Sequence, residues 1–579
     1  MDKATRLLPL LATFWVGIAL LLAILLTPRP VVGTVRQNGV DLAPRLPVET
    51  WEPSSVLEIT VVVDRKPWQI STLRIVPDDC FERLEVNGAI LASQYCRPRS
   101  SANPPRIIFL RADKPNATVI SARIRNTLGL PMGISIFPSQ TDWRSVLPRL
   151  MIALLIGFLC LVFARRRLFS DAPALWILGC GLLARALYGI FTPYDTRAYD
   201  SAAHLEYVKY LASHLRLPPA SGWEFHQPPL YYEMTSAFVR AGHLVGWSLP
   251  MTIPWIQLLS IAFSCLSLLA AAWVGLQLIR NTRSMEFLVF LALIAGLPAL
   301  IMLSSRISND VLITVEIFAA AGLLCRWHRE HRVLDWYLLW LLAGIAFLTK
   351  LNGLCIPIAV CVLVLFTGRA LRPGLRQWAG GIALFLALTV WLPLLRIHER
   401  PGDVRNLLLT GKASITSHLK IRHAPEDFLI FNPVAMLRQP FNTPYSNDGR
   451  RSNALEYLFR SALFGEFHTF PVPWLPRDVL ILALLLLPWM VYGLRDTLHR
   501  ERKDTPLTIL FLTTLVLWLA YLTIFQFSPE QDFRFSPFFA VAGAYFIARG
   551  IQHGGKYWQT FGLWCAFAFA LLSFAMLTF

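Results

Sequence analysis

Charge is scarce in this sequence. Only 16% of its 579 residues are Asp, Glu, Lys or Arg, whereas a soluble domain carries roughly 25%. Acidic residues are the scarcer kind: 36 Asp and Glu stand against 54 Lys and Arg, a formal net charge of +18. There is no internal repeat, no low-complexity tract and no sustained heptad run. Solenoids, low-complexity chains and coiled coils are thereby excluded. What stands in place of charge is apolar surface: 55% of residues are hydrophobic and 12% aromatic, with 19 Trp. A soluble fold has no interior large enough for that. A bilayer does, at about 20 apolar residues per crossing helix, and such stretches recur along the chain.

An excess of basic residues often marks a nucleic-acid partner. Its placement here argues for membrane lipids and against nucleic acid. The arginines gather in short loops between hydrophobic runs: Arg165 to Arg167, Arg280 to Arg283, Arg326 to Arg332, Arg369 to Arg376, and Arg495 to Lys503. That is the positive-inside pattern, and it assigns those loops to the cytoplasm. Of the 9 Cys, most lie within apolar runs and read as small buried hydrophobes. Cys80 and Cys96 lie in a polar stretch instead. A disulfide is expected there if the stretch is extracytoplasmic, with free thiols as the alternative.

Three regions follow. Residues 1–27 are a short basic start and one apolar run, expected to be an uncleaved membrane anchor with its N-terminus in the cytoplasm. Residues 28–145 are polar, with short alternating or β-branched segments at Val56 to Val63, Leu73 to Val76, Ile107 to Leu110 and Val119 to Ile124. Such segments separated by turn residues predict a small all-β sandwich outside the cytoplasm. The stretch Asp78-Asp79-Cys80, then Leu84 to Gly88, resembles the core strand and turn of galactose-binding-like jelly rolls. A packing domain is the alternative to a carbohydrate grip. Residues 146–579 are mostly membrane. Their apolar runs, among them 285–303, 310–326, 334–350 and 377–396, bring the expected total to about thirteen transmembrane helices. Two long polar loops, 193–253 and 397–478, then fall on the outer side. Within the first, Pro228 to Gly246 reads as an interfacial or re-entrant helix, because a crossing there would break the arginine pattern.

The first outer loop carries Asp195, Asp200, His204, Glu206, Glu224 and His226. Ionisable groups held at a membrane surface are costly unless they have a task. If Asp200 opens a helix, His204 sits one turn on and on the same face. The two are then fit to be a base and its orienting partner, or to bind a divalent metal with Glu224 or His226. The structural alternative is Asp200 as a helix N-cap on a loop that only packs.

The order Asp200, His204, Tyr207, then Trp223-Glu224-Phe225-His226-Gln227-Pro228-Pro229-Leu230-Tyr231-Tyr232, resembles the first outer loop of GT-C glycosyltransferases. The nearest group is glycosyltransferase family 39 and its bacterial relatives, which include protein O-mannosyltransferases and lipid A aminoarabinose transferases. Ser308-Asn309-Asp310 resembles the place of the family's second acidic residue. Leu348-Thr349-Lys350 resembles its Thr-Lys element, and Asp532-Phe533-Arg534-Phe535 with Pro537 resembles its late Asp-Arg-Tyr-x-x-Pro element. The resemblance spans about residues 170 to 550.

It implies a plasma-membrane (bacterial inner-membrane) enzyme. Its donor would be a polyprenyl-phosphate sugar and its acceptor a glycan, lipid or protein on the periplasmic or extracellular side. Asp200 would be general base, with Asp310 and His204 catalytic. There are departures. In the aminoarabinose transferases Glu and Lys, implicated in metal and phosphate binding, precede Pro-Pro-Leu; here His226 and Gln227 do. His226 with Glu224 is still able to ligate a divalent metal. Gln227 is unable to neutralise a phosphate, which leaves that task to Lys350, Arg534 or Arg306. The alternatives are snorkelling for Lys350, and an anchor or a partner for Asp532 in the case of Arg534. In the second outer loop Glu466 and His468 are candidate substrate contacts, against an amphipathic cover helix. A transporter or flippase would show midplane charges and inverted repeats, and a non-catalytic scaffold would not need the acidic and His-rich loop.

Overall fold

Two Asn-Gly turns shape the polar N-terminal region. Asn38-Gly39 and Asn87-Gly88 all have positive φ, the conformation a tight two-residue hairpin demands and Asn-Gly supplies most readily. Each Asn side chain also accepts the backbone N–H that begins or continues another strand, Val56 for Asn38 and Val119 for Asn87, both at 2.8 Å. The computed structural model describes residues 3–42, 56–77, 80–95, 108–111, 118–125, 134–219, 224–367, 372–399, 419–444, 450–467, 470, 472–500 and 505–578.

Among the described residues nine strands form in this region: β1 (Arg29–Gln37), β2 (Val40–Leu42), β3 (Val56–Asp64), β4 (Thr72–Pro77), β5 (Cys80–Val86), β6 (Ala89–Tyr95), β7 (Ile108–Arg111), β8 (Thr118–Arg125) and β9 (Ile134–Pro138). They make a six-stranded sheet in the order β2-β1-β3-β8-β5-β6 and a three-stranded sheet β7-β4-β9, antiparallel throughout. The period-2 alternation sets the core. Leu57, Ile59 and Val61 of β3 pair with Ile124, Ala122 and Ile120 of β8, and all six are buried, as are Leu73, Ile75, Leu110 and Ile136 of the smaller sheet. The expected all-β domain is present. Cys96 lies outside the described residues, and with it the expected Cys80–Cys96 disulfide.

By compactness the chain falls into two units. The first is Met1–Leu155 with Ile190–Thr196 and Thr235–Leu259; the second is Ile156–Gly189 with Arg197–Met234 and Ser260–Phe579. In the first unit the β domain stands at the end of helix Lys3–Leu26, whose Leu26 carbonyl accepts the Ile70 N–H at 2.8 Å. Arg74 of β4 is 3% exposed. It grips Asp195 with both terminal nitrogens at 3.3 and 3.1 Å and lies over the Phe137 ring.

Among the described residues eight helices are long and apolar enough to cross a membrane, and five shorter apolar helices accompany them. Each of the thirteen expected spans corresponds to one of these. Leu230–Leu244 is not among them, in keeping with its Glu233, Arg240 and His243. Within the second unit the expected 285–303 helix is broken into Met285–Gly296 and Pro298–Met302. Pro298 disfavours helical geometry at Leu297, which is extended with ψ 117. The break orphans carbonyls, and Arg185 supplies donors to them: its Nη1 bonds the Ala295 carbonyl at 3.0 Å and its Nη2 that of Ile294 at 3.3 Å. A cation at a helix C-terminus is also favoured by the helix dipole. Helices Leu475–Arg500 and Phe538–Gln552 touch backbone to backbone. A Cβ at Gly493 would lie 1.8 Å from the Phe546 carbonyl oxygen, and one at Gly550 2.0 Å from that of Trp489.

Candidate active site

Apart from Asp195 and the two cysteines of the β domain, the residues singled out in sequence come from five stretches of the second unit, and most converge. Arg197 and Asp200 both adopt the left-handed conformation, with φ 52 and 46. Asp tolerates that region better than most residues, and strained backbone of this kind gathers at functional sites. Asp200 precedes helix Ser201–His214, yet its carboxylate makes no capping bond. It lies 3.6 Å from Nη2 of Arg534 instead. The simple N-cap role therefore does not describe this side chain.

Arg534 arrives on a short turn, Phe533–Phe535, that follows Asp532. Asp532 accepts the Arg534 backbone N–H at 2.8 Å on one oxygen and the Tyr199 hydroxyl at 2.6 Å on the other. The Tyr199 ring has two cations against it, Arg534 at 4.1 Å and Arg306 at 4.6 Å from its centroid. Burial works against the Arg534 charge, but Asp310, Asp200 and Asp532 outweigh it and hold its pKa above the ordinary value. Arg306 is buried and bonds the Arg197 carbonyl through Nε at 2.9 Å. Asp310 opens helix Asp310–Glu330 and is paired with Lys350, which follows the last turn of helix Val333–Thr349. Ser308 donates to Asp310 at 3.2 Å, and the Lys350 ammonium lies 4.5 Å from the Phe535 ring centroid. Lys350 is thus engaged with buried partners and does not snorkel.

A hydrogen-bond chain ties three of the quoted motifs together. The Asn309 amide donates to Gln227 Oε1 at 3.3 Å and to the Thr349 carbonyl at 2.9 Å. Gln227 is further fixed through its carbonyl, which accepts from Tyr207 at 3.2 Å. Thr349 bonds buried Glu316 at 2.9 Å. Gln227 therefore positions the Asn309 and Thr349 segments that carry Asp310 and Lys350.

His204 is one turn beyond Asp200, but its ring faces Tyr232, with Nδ1 2.8 Å from that hydroxyl. Burial keeps its pKa below the ordinary value, so it is neutral at pH 7. Glu224 is buried and His226 half-buried. Among the described residues no group of three or more His, Cys, Asp or Glu side chains is gathered to hold a metal ion, so the three-ligand set of a catalytic zinc is not assembled there.

From the stretch expected as the second outer loop, Glu466 follows Gly465, whose φ of 64 with ψ −142 suits glycine alone. A Cβ at Gly465 would meet the Tyr199 hydroxyl at 2.7 Å. The Glu466 N–H donates to that hydroxyl at 3.0 Å, and its carboxyl accepts from Tyr457. Burial, reinforced by Asp532, pushes the Glu466 carboxyl up to about 8. His468 lies outside the described residues.

Tyr199, Arg306, Asp310, Ser461, Asp532 and Arg534 line one cavity, with Ala299, Leu303 and Pro537 among its apolar walls. It has room for about one water molecule. Tyr199 was not among the residues singled out in sequence, and Asn309 was quoted only as part of the Ser308-Asn309-Asp310 stretch; each adjoins a chosen carboxylate, and that adjacency was the available signal.

No family model matches the sequence, and no curated protein does. Among solved structures the chain is similar to ArnT from Cupriavidus metallidurans in the apo state, at 13% identity and a TM-score of 0.42, over 67% of this chain and 62% of that one. It is similar to the same protein bound to undecaprenyl phosphate, at 12% identity and a TM-score of 0.34, over 65% and 77%. It is also similar to the arabinosyltransferase EmbB from Mycobacterium smegmatis, at 12% identity and a TM-score of 0.33, over 95% and 53%. The chain spans less than two thirds of the length of the first of these structures.

Proposed function

We propose that this chain is a membrane glycosyltransferase of the GT-C type. It moves a sugar from a polyprenyl-phosphate carrier to an acceptor on the outer face, with inversion, and Asp200 is the general base. The observation that carries the proposal is the convergence of Asp200, Arg306, Asp310 and Arg534 about Tyr199, with Lys350 on Asp310. A phosphate leaving group needs concentrated positive charge in a site shielded from water. Three cations stand there, each already oriented by a carboxylate, a carbonyl or an aromatic ring.

In the reaction the acceptor hydroxyl or amine attacks the anomeric carbon. The bond from that carbon to the phosphate oxygen breaks, and the polyprenyl phosphate leaves with its electron pair and negative charge. Asp200 takes the acceptor proton. Arg534, next to both Asp200 and the cavity, holds the leaving phosphate with Arg306 or Lys350. Asp310 keeps Lys350 in place between turnovers. A single displacement uses one base, unlike the paired carboxylates of glycoside hydrolysis.

A transporter would need a polar path through the bilayer, whereas the charges of this cluster sit at helix ends and loops. The test is Asp200→Asn. Transfer is expected to fall by about 10²–10⁴-fold with membrane insertion and yield unchanged. Full activity in that variant would overturn the assignment.

A further inference from the structure

The β domain leaves a cluster of aromatic and basic side chains exposed where it joins its helices. The β3–β4 loop, Arg65 to Ile70, is tied down at both ends of the domain's membrane attachment. Ile70 N–H bonds the Leu26 carbonyl at 2.8 Å, and the Gln69 amide reaches the Thr27 carbonyl at 3.4 Å. Arg144, in the first turn of helix Trp143–Arg167, donates to the Gln69 carbonyl at 2.7 Å. The loop is therefore fixed at the depth where one apolar helix ends and the next begins.

Two tryptophans are left uncovered at that depth: Trp68 is 53% exposed and Trp143 60% exposed. Each has a cation over its ring, Lys66 at 5.4 Å from the Trp68 centroid and Arg144 at 5.6 Å from that of Trp143. Exposed tryptophans with lysine or arginine beside them suit the boundary between lipid tails and headgroups, and the cations suit lipid phosphates. The acids nearby do not cancel this charge. Asp142 is buried and occupied by the Ser71, Thr72 and Arg144 backbone N–H groups, which leaves exposed Asp64 as the opposing charge at the end of β3.

We propose that Lys66, Trp68, Trp143 and Arg144 form a lipid-docking patch. It seats the β domain on the leaflet it faces and prefers anionic phospholipid. The two indoles enter the headgroup layer, and the two cations take headgroup phosphates. This surface binds bulk lipid, and it does so whether or not the glycosyltransferase reading holds.

The test uses the full chain in nanodiscs of equal phosphatidylglycerol and phosphatidylcholine, with p-benzoylphenylalanine replacing Trp68. Ile90, exposed on the β5–β6 hairpin away from the helix ends, is replaced in the control. After irradiation, mass spectrometry is expected to find phospholipid adducts at position 68 and none at 90. Phosphatidylglycerol adducts should exceed phosphatidylcholine adducts, and Lys66→Gln and Arg144→Gln should each reduce that preference about fivefold. Absence of lipid adducts at 68, equal adducts at both positions, or a protein adduct at 68 would overturn the docking patch. Lipid adducts whose preference is unmoved by both substitutions would overturn the role of the cations.

Discussion

A carboxyl that stays protonated at neutral pH is a hydrogen-bond donor, and Glu466 has the surroundings to be one. Tyr457 donates to one of its oxygens, leaving the other to carry the proton toward its acidic neighbours. With its pKa raised to about 8, Glu466 is neutral below that pH and ionises as the pH rises through it. The new charge would stand beside Asp532 and Asp200 and oppose an incoming phosphate. The donor KM is therefore expected to rise by about tenfold on crossing pH 8, the size of one hydrogen bond to a charged group. Glu466→Gln, which fixes the neutral form, should remove that rise while keeping activity at pH 7. Steady-state kinetics against pH in both proteins checks this, and an unchanged alkaline limb in the variant would contradict it.

At the scale of elements, the helices follow from length and hydropathy, and the expected spans agree with the observed helices to within a few residues at most ends. The break at Leu297 was the exception, because an apolar run hides a proline that only matters once its carbonyls need partners. Arg185, inside another apolar run, supplies them. The closest helix pair rests on two glycines. Gly493→Leu must drive a side chain into the Phe546 backbone, and overpacking of that kind costs about 1–3 kcal/mol or more. A lower unfolding temperature in detergent is expected, with Met285–Gly296 and the outer site still formed below it. An unchanged temperature would show that the two helices separate without cost.

For the whole molecule, sidedness is the property on which function depends. The positive-inside pattern of the arginine loops predicts residues near Ser170 in the cytoplasm and the β domain outside. In a background lacking native cysteines, Ile90→Cys should react with an impermeant thiol reagent in intact cells. Ser170→Cys should react only after the membrane is opened. The reverse result would invert the topology.

The same scale explains what sequence revealed of the site. Asp200 stood out as an ionisable group in a loop at the membrane surface, and Asp310, Lys350 and Arg534 stood out by the resemblance of their stretches to family motifs. Their mutual partners were not, since pairing Asp310 with Lys350, or Asp200 with Arg534, depends on helix packing across 40 and 334 positions respectively. His204 shows the converse: its spacing suggested a bond to Asp200, and packing gave its ring to Tyr232.

The central claim is transfer from a lipid-linked sugar. The most direct measurement incubates the purified protein in bilayers with a panel of radiolabelled polyprenyl-phosphate sugars and native membrane extract as the acceptor source. Label is then followed into glycan, lipid and protein. The account predicts label leaving at least one donor for a stable acceptor with the wild-type chain and not with Asp200→Asn. No transfer from any donor, with the protein shown to be folded, or equal transfer by both proteins, would contradict it.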